Sequence, residues 1–528
     1  MTRRIRTRSR RWAILPLAIG LAAAPALADA ADTTGRAVSG RGDTVASADE
    51  PTSGGTLRYM YPIGPSRFDP HKSSVGQDIR IYTLVYDRLV HYDAVGDLMP
   101  GLATEWSFSD DGLQMTLTLR DGVILHDGST LDGEVVKANL ERGLTVEGST
   151  VAGDLAAIES IDVPDPLTVV LNLSEPNAAL PGILSSRAGV IVPVGSFDAN
   201  LDLQPVGAGP YRVTEYREND IIVFERFTDY WDDNYGGPDR IEWRIVLDEN
   251  TRLNALRSGE VDAALLTGRL VVDAENAGLN VEVVPALSYQ TLYLNRGRSE
   301  FDDVRVRQAI SHAIDREAYV QSVLDGAGVP TIQDFPADYY AYNPDYPLDY
   351  YAFDQDRARE LLAEAGVPDG FTFEVLVPSS AAGQLSAQVV QGMLAEVGIT
   401  MQTKLIESAQ AGELMFGNPS SDSLLAQFGG RSDPQITMDL QYSPTGFLNA
   451  AKDSTDRYVE LSDIARATLD PDERALALQA MEGEIVEQAF TIPIAHDANT
   501  NAWRDGVYGL TLLVGGEIDF SQVGVEAA

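Results

Sequence analysis

The sequence predicts an α/β fold of several lobes. Three observations carry that reading. Stretches with strand alternation and stretches with helical spacing are interleaved along the chain, without a strict strand–helix–strand rhythm. The 528 residues are too many for one core of ordinary size. Hydrophobic residues make up 44 % and charged residues 22 %, the balance of a globular protein rather than of a membrane-embedded or disordered one.

The elements follow in order. Residues 29–54 are polar, rich in Gly, Ser, Thr and Asp, and read as a flexible leader. A short strand is expected at residues 55–59. Residues 100–128 form a hairpin or meander with one buried face. There Met115, Leu117 and Leu119 alternate with polar residues, and Asp111-Gly112, Asp121-Gly122 and Asp127-Gly128 mark turns. Residues 132–142 read as a helix stopped by Gly143, and residues 167–173 as a strand closed by Pro176. Further strands are expected at residues 221–226 and 240–247. A helix over residues 249–258 places Leu253 and Leu256 on one face, with Gly259 at its C-terminal end. Val306, Ala309, Ile310, Ala313 and Ile314 recur at helical spacing and predict one amphipathic helix over residues 303–319. Asp354 caps a helix that ends at Gly366. Asp470-Pro471-Asp472-Glu473 starts another that runs to about Gln488, before a strand over residues 491–495. The aromatic stretch 335–353 is expected to be a packed loop, with its tyrosines near a cleft mouth.

Charge and composition exclude several functions. The formal net charge of −40 repels nucleic acid and anionic lipid, and its plain role is solubility. There is no cysteine, hence no disulfide, thiolate site or thiol nucleophile, and no lipoprotein attachment. The N-terminus carries six arginines between Arg3 and Arg11, an apolar run from Trp12 to Ala24, and small residues ending at Ala28. That is the pattern of an export signal over residues 1–28, by the general or the twin-arginine route. The expected location is therefore the periplasm.

Catalytic signatures are missing. The chain has no Gly-x-Ser-x-Gly elbow, no His-Glu-x-x-His and no Gly-x-x-x-x-Gly-Lys-Ser/Thr loop. The five histidines are scattered, so neither a metal site nor a cofactor is expected. The segment LLAQFGGRSDP, residues 424–434, is the one that suggests ligand contact. An apolar strand meets Gly429-Gly430, and Arg431 and Asp433 follow two residues apart. A guanidinium can take a carboxylate bidentately and a carboxylate can take an ammonium, which suits a zwitterion. On that reading Asp433→Ala weakens binding without unfolding the protein. The alternative is that Arg431 and Asp433 pair with neighbours and cap the loop.

The order of residues adds a resemblance. Pro100-x-Leu-Ala-x-x-Trp106, then Leu119-Arg-x-Gly-Val-x-x-His-Asp-Gly128, resembles the large solute-binding proteins of peptide, dipeptide and nickel ABC importers (family 5 type). Pro205–Tyr211, Asp229-Tyr230-Trp231, Ser258–Asp262, residues 301–316 and Ala358–Gly366 resemble further blocks of that family, in the same order. His126 falls in its His-Asp-Gly motif, where a structural role is expected.

The resemblance implies a two-lobed periplasmic-binding-protein-like fold, with a hinge and an extra subdomain in the first half. Residues 55–77, 192–287 and 498–528 would form the first lobe, 78–191 the extra subdomain and 288–497 the second lobe. It further implies a non-enzymatic, monomeric carrier that traps a small peptide or peptide-like solute and delivers it to permease subunits in the inner membrane. A receptor or chaperone of the same fold without transport, or a peptide hydrolase, are the alternatives. The family's segment matching residues 428–434 lies at the cleft, which implicates Arg431, Asp433 and Phe428. Arg187, Tyr289, Asn295 and Thr150 are the remaining expected contacts.

Overall fold

One mixed sheet of eleven strands carries the fold. The computed structural model describes residues 54–73, 75–417 and 419–526; the export segment 1–28 and the leader up to residue 53 lie outside the described residues. Along the sheet the strands run Tyr211–Arg217, Ile221–Arg226, Arg240–Ile245, Thr56–Tyr61, Ala263–Leu266, Thr491–Trp503, Asn280–Leu294, Ser423–Phe428, Thr372–Pro378 and Thr400–Ile406. The short strand Val329–Pro330 adds to Thr491–Trp503. Thr56–Tyr61 is parallel to both of its neighbours, and Thr372–Pro378 to both of its own. The expected α/β class is thus found, with parallel pairing in each half of the sheet and antiparallel pairing between them.

The strands form where alternation predicts them. Tyr59 and Trp243 sit in directly paired register, and their rings lie 4.6 Å apart in the core. A separate four-stranded sheet, in the order Ala103–Phe108, Gln114–Leu119, Thr168–Leu173 and Ile158–Asp165, is covered by the helix Gly133–Thr145. Met115, Leu117 and Leu119 face its core, together with Val136, Leu140 and Leu171. The helix runs through Gly143 instead of stopping there. A Cβ at that position would stand 2.9 Å from Leu155 Cδ1, so the glycine serves close packing.

Two further expectations are corrected. The helix over residues 303–319 is two helices, Val304–Ala313 and Arg316–Val323. Between them Ile314 is extended and the Asp315 carboxylate accepts from Ala318 N–H at 2.9 Å, so a new N-cap interrupts the ladder. The apolar spacing continues across this break, which is why periodicity alone joins the two. The strand expected at residues 491–495 extends to Trp503. Its second half, His496–Asn501, is polar, yet most of it is paired with Asn280–Leu294, and Thr500 and Asn501 also pair with Ala263–Leu266, so the ladder satisfies the backbone there.

That long strand and Asn280–Leu294 are the antiparallel pair joining the two halves of the sheet. Their register shifts twice, and the larger shift comes first: Pro285 faces Ala498, but Tyr289 faces His496. Residues 286–288 are therefore a bulge with two more residues than the strand opposite. Ser288 Oγ and Gln290 Nε2 each donate to the Asp497 carboxylate at 2.9 Å and hold the bulge in place.

A buried acid pair lies beside this region. The Asp334 N–H donates to Glu482 Oε1 at 2.8 Å, and Tyr442 donates to both oxygens of Asp334. Burial raises the Asp334 carboxyl to about 6 and holds that of Glu482 well above the ordinary range. Because both values lie above those of the unfolded chain, the unfolded chain binds fewer protons. The pair's stabilisation is therefore full at low pH and lost as pH rises through about 6 and beyond. Glu482→Gln is expected to be more stable than the wild type at pH 8, by about 1–3 kcal/mol, with the gap closing toward pH 5. Thermal melts of both proteins across that range test it; a gap independent of pH would refute it.

Candidate ligand-binding cleft

The cleft is built around the turn that follows Ser423–Phe428. Gly430 has φ +52°, and a Cβ there would stand 2.6 Å from the Cβ of Leu287 in the bulge. Only glycine lets the loop pass this close. The Arg431 N–H then donates to Thr437 Oγ1 at 3.1 Å. Asp433 caps the helix Pro434–Tyr442, accepting from the Gln435 N–H at 2.9 Å, with Pro434 in the first turn. The loop packs on the helix Leu180–Leu184, where a Cβ on Gly182 would lie 3.0 Å from that of Asp433. Two distant parts of the chain thus meet beside a shared space, which Ile183 and Ser432 both line.

That space is a cavity of about 570 Å³, a size that suits a small organic ligand. Its walls come from residues 76–80, 151–154, 183–188, 286–288, 427–436 and 514–517, with Tyr92, Tyr339 and Asn499. Five charged side chains line it: Arg80, Arg187, Arg431, Asp154 and Glu517. Three guanidiniums against two carboxylates leave one net positive charge, inside a chain of net charge −40.

Each charge is held differently. Arg80 donates to Tyr61 Oη at 2.7 Å and to Asn499 Oδ1 at 2.8 Å, both neutral acceptors. Glu517 accepts from the Tyr92 hydroxyl. Arg187 donates to the Ser73 carbonyl, and burial lowers its pKa. Arg431 keeps its side chain exposed and makes no side-chain hydrogen bond or ion pair among the described residues. Asp154 is open to the cavity, but the protein around it raises its pKa, while Arg431 and then Arg187 pull in the opposite direction.

Of the residues expected from the sequence, the structure brings Arg431 and Arg187 to the cavity. Asp433 is corrected. It is 0 % exposed, and both its oxygens accept from Arg474, each at 2.8 Å. Its charge is spent inside the protein, and its part is to hold the loop that carries Arg431. Phe428 and Tyr289 are buried cross-strand partners with ring centroids 5.6 Å apart, beneath the cavity floor rather than on it. Asn295 is buried and donates to the Ser421 carbonyl at 3.1 Å. Thr150 donates to the Ser73 carbonyl at 2.6 Å, tying down the segment that Arg187 also holds. None of these four is among the residues that line the cavity. His126 is structural as expected: its Nδ1 accepts from the Gly207 N–H and its Nε2 donates to the Gly209 carbonyl.

Arg80, Asp154 and Glu517 carry no signal in the sequence. No motif surrounds them, and the two acids are among 79. They meet only because six separate segments fold onto one space. Among the described residues no helix is long and apolar enough to cross a membrane.

Comparison with known proteins places this architecture. Residues 97–449 match the family described as bacterial extracellular solute-binding proteins, family 5 Middle. A glutathione-binding protein GsiB of Salmonella paratyphi A is 28 % identical over 434 residues, covering 78 % of this chain and 83 % of the relative. The structure of HbpA2 from Haemophilus parasuis superposes with a TM-score of 0.81 at 24 % identity, over 90 % of this chain and 100 % of that one. The binding protein AgaA of A. tumefaciens R10, in complex with agropinic acid, gives 0.72 at 27 % identity, over 90 % and 99 %. The match spans the four-stranded sheet, the strand Asn280–Leu294 and the Arg431 loop, and so the chain belongs to the bacterial extracellular solute-binding proteins of family 5.

Proposed function

We propose that this solute-binding protein is the periplasmic receptor of an ABC importer and takes a small peptide or peptide-like solute. The observation that carries the reading is the cavity with guanidiniums and carboxylates on its walls. Such a lining fits a solute that bears several charges of both signs. It fits an ordinary apolar metabolite poorly, because the desolvated charges would be left without partners. The similarity to glutathione-binding proteins and to a receptor holding agropinic acid supports solutes of this kind.

The bulge at residues 286–288 gives the proposal its moving part. It lies where the two long strands join the halves of the sheet, and it lines the cavity. Closure would bring residues 288–497 against the subdomain 78–191 and the lobe made of 55–77, 192–287 and 498–528. The closed protein, a monomer that catalyses nothing, would then dock on permease subunits in the inner membrane. Residues 1–28 would direct export, and the lack of cysteine favours a soluble form over a lipoprotein.

Calorimetry of the purified protein against dipeptides, tripeptides, glutathione and opines tests the reading. At least one of these is expected to bind with micromolar or tighter affinity, about −8 kcal/mol or better. Failure of the whole set to bind would overturn it.

A further inference from the structure

We propose that Arg187, Arg431 and Asp154 form a subsite for a free α-amino-acid head group, an ammonium and a carboxylate on one carbon. The inference rests on the peptide-like reading above and narrows it to a class of solute.

The three side chains reach the cavity from two sides. Asp154 and Arg187 come from segments flanking the four-stranded sheet, at residues 151–154 and 183–188. Arg431 comes from the loop after Ser423–Phe428. Among the described residues, none of the three makes an ion pair, although most arginines of this protein that lie near an acid do. The described hydrogen bonds of the Arg187 side chain end at one backbone carbonyl, and the Asp154 carboxylate accepts none. Yet all three line one cavity, where burial raises the pKa of Asp154 and the charges of Arg431 and Arg187 act against that rise. Coupled charges that do not touch leave a gap between them.

What fills the gap is set by charge. A lone carboxylate would satisfy two guanidiniums and face Asp154 with like charge. A lone ammonium would satisfy Asp154 and be repelled by both arginines. A group with both charges on one carbon offers an acceptor to Arg187 and Arg431 and a donor to Asp154. An α-linked peptide carries its ammonium and carboxylate at opposite ends. A γ-glutamyl peptide, or any solute attached through an amino acid's side chain, keeps them together. The far part of the cavity holds Arg80 and Glu517, which could take the remaining charges of such a solute.

Titration calorimetry with four probes tests this: glutathione, γ-glutamyl-glycine, N-acetyl-glutathione and the α-linked tripeptide Glu-Cys-Gly. The two γ-linked probes with free ammonium are expected to bind on the order of 100-fold tighter than the other two. Asp154→Asn is expected to remove most of the discrimination against the N-acetyl form while the melting temperature stays unchanged. Equal affinity for the α-linked and γ-linked tripeptides would overturn the inference and leave the peptide reading standing. Undiminished discrimination in Asp154→Asn would likewise overturn it. If none of the four binds, and the wider set of peptides and opines is also refused, the inference and the peptide reading fall together.

Discussion

Asp433→Ala is expected to destabilise the protein by about 3–5 kcal/mol, one of the largest effects open to a single substitution here. Asp433 is fully buried, and its two oxygens accept from the two terminal nitrogens of Arg474 at 2.8 Å. The pair raises the pKa of Arg474 against the pull of burial. Removing the carboxylate leaves a guanidinium 7 % exposed without its counter-charge, and also removes the N-cap of Pro434–Tyr442. The cap alone accounts for about 1 kcal/mol, so most of the loss is the stranded charge. Urea unfolding followed by circular dichroism gives the number. The double variant Asp433→Leu/Arg474→Met is expected to recover most of it, since an apolar pair of similar size can replace a buried ion pair. A melting temperature unchanged in Asp433→Ala would contradict this account. The buried pair thus argues for a loss of stability, where the expectation drawn from the sequence was weaker binding with the fold spared.

Arg431→Ala is expected to do what the sequence assigned to its neighbour. It should weaken solute binding on the order of 100-fold and shift stability by less than about 0.5 kcal/mol. The reason is its lack of internal partners. The side chain is exposed to the cavity and makes no ion pair among the described residues, so its loss breaks nothing in the ligand-free protein. In the complex it removes a charge partner, and the solute's carboxylate would be left poorly paired. Calorimetry with whichever peptide or opine binds the wild type, beside a thermal melt, separates the two effects. Arg431→Lys is expected to recover only part of the affinity, because an ammonium cannot make the bidentate contact. Wild-type affinity in Arg431→Ala would show that the loop frames the cavity without touching the solute.

The contrast between these two residues shows where reading the sequence stops. Arg431 and Asp433 are two positions apart on one loop, and both are charged. Sequence spacing treats them alike. What separates them is Arg474, 41 positions beyond Asp433, which pairs with Asp433, while Arg431 has no ion-pair partner among the described residues. The same holds for the helix expected over residues 303–319. Its apolar spacing was legible, but that spacing runs on across the break at Ile314–Asp315, where the Asp315 carboxylate caps a new helix. Arg316 is buried and donates to the carbonyls of Thr331 and Pro493. Phe428 and Tyr289 were picked out for their place near the cleft and are indeed there, one layer too deep.

The sequence by itself determined the kind of protein this is. Alternation and helical spacing set most strands and helices, and blocks from Pro100 to Gly366 marked the family, because local backbone preference and turn chemistry act over a few residues. The tertiary structure alone decided which charges the solute meets. Arg80, Arg187, Asp154, Arg431 and Glu517 lie far apart in the chain and share one cavity. Whether a charged side chain is spent on a neighbour or left for a ligand depends on partners that only folding brings within a few ångströms.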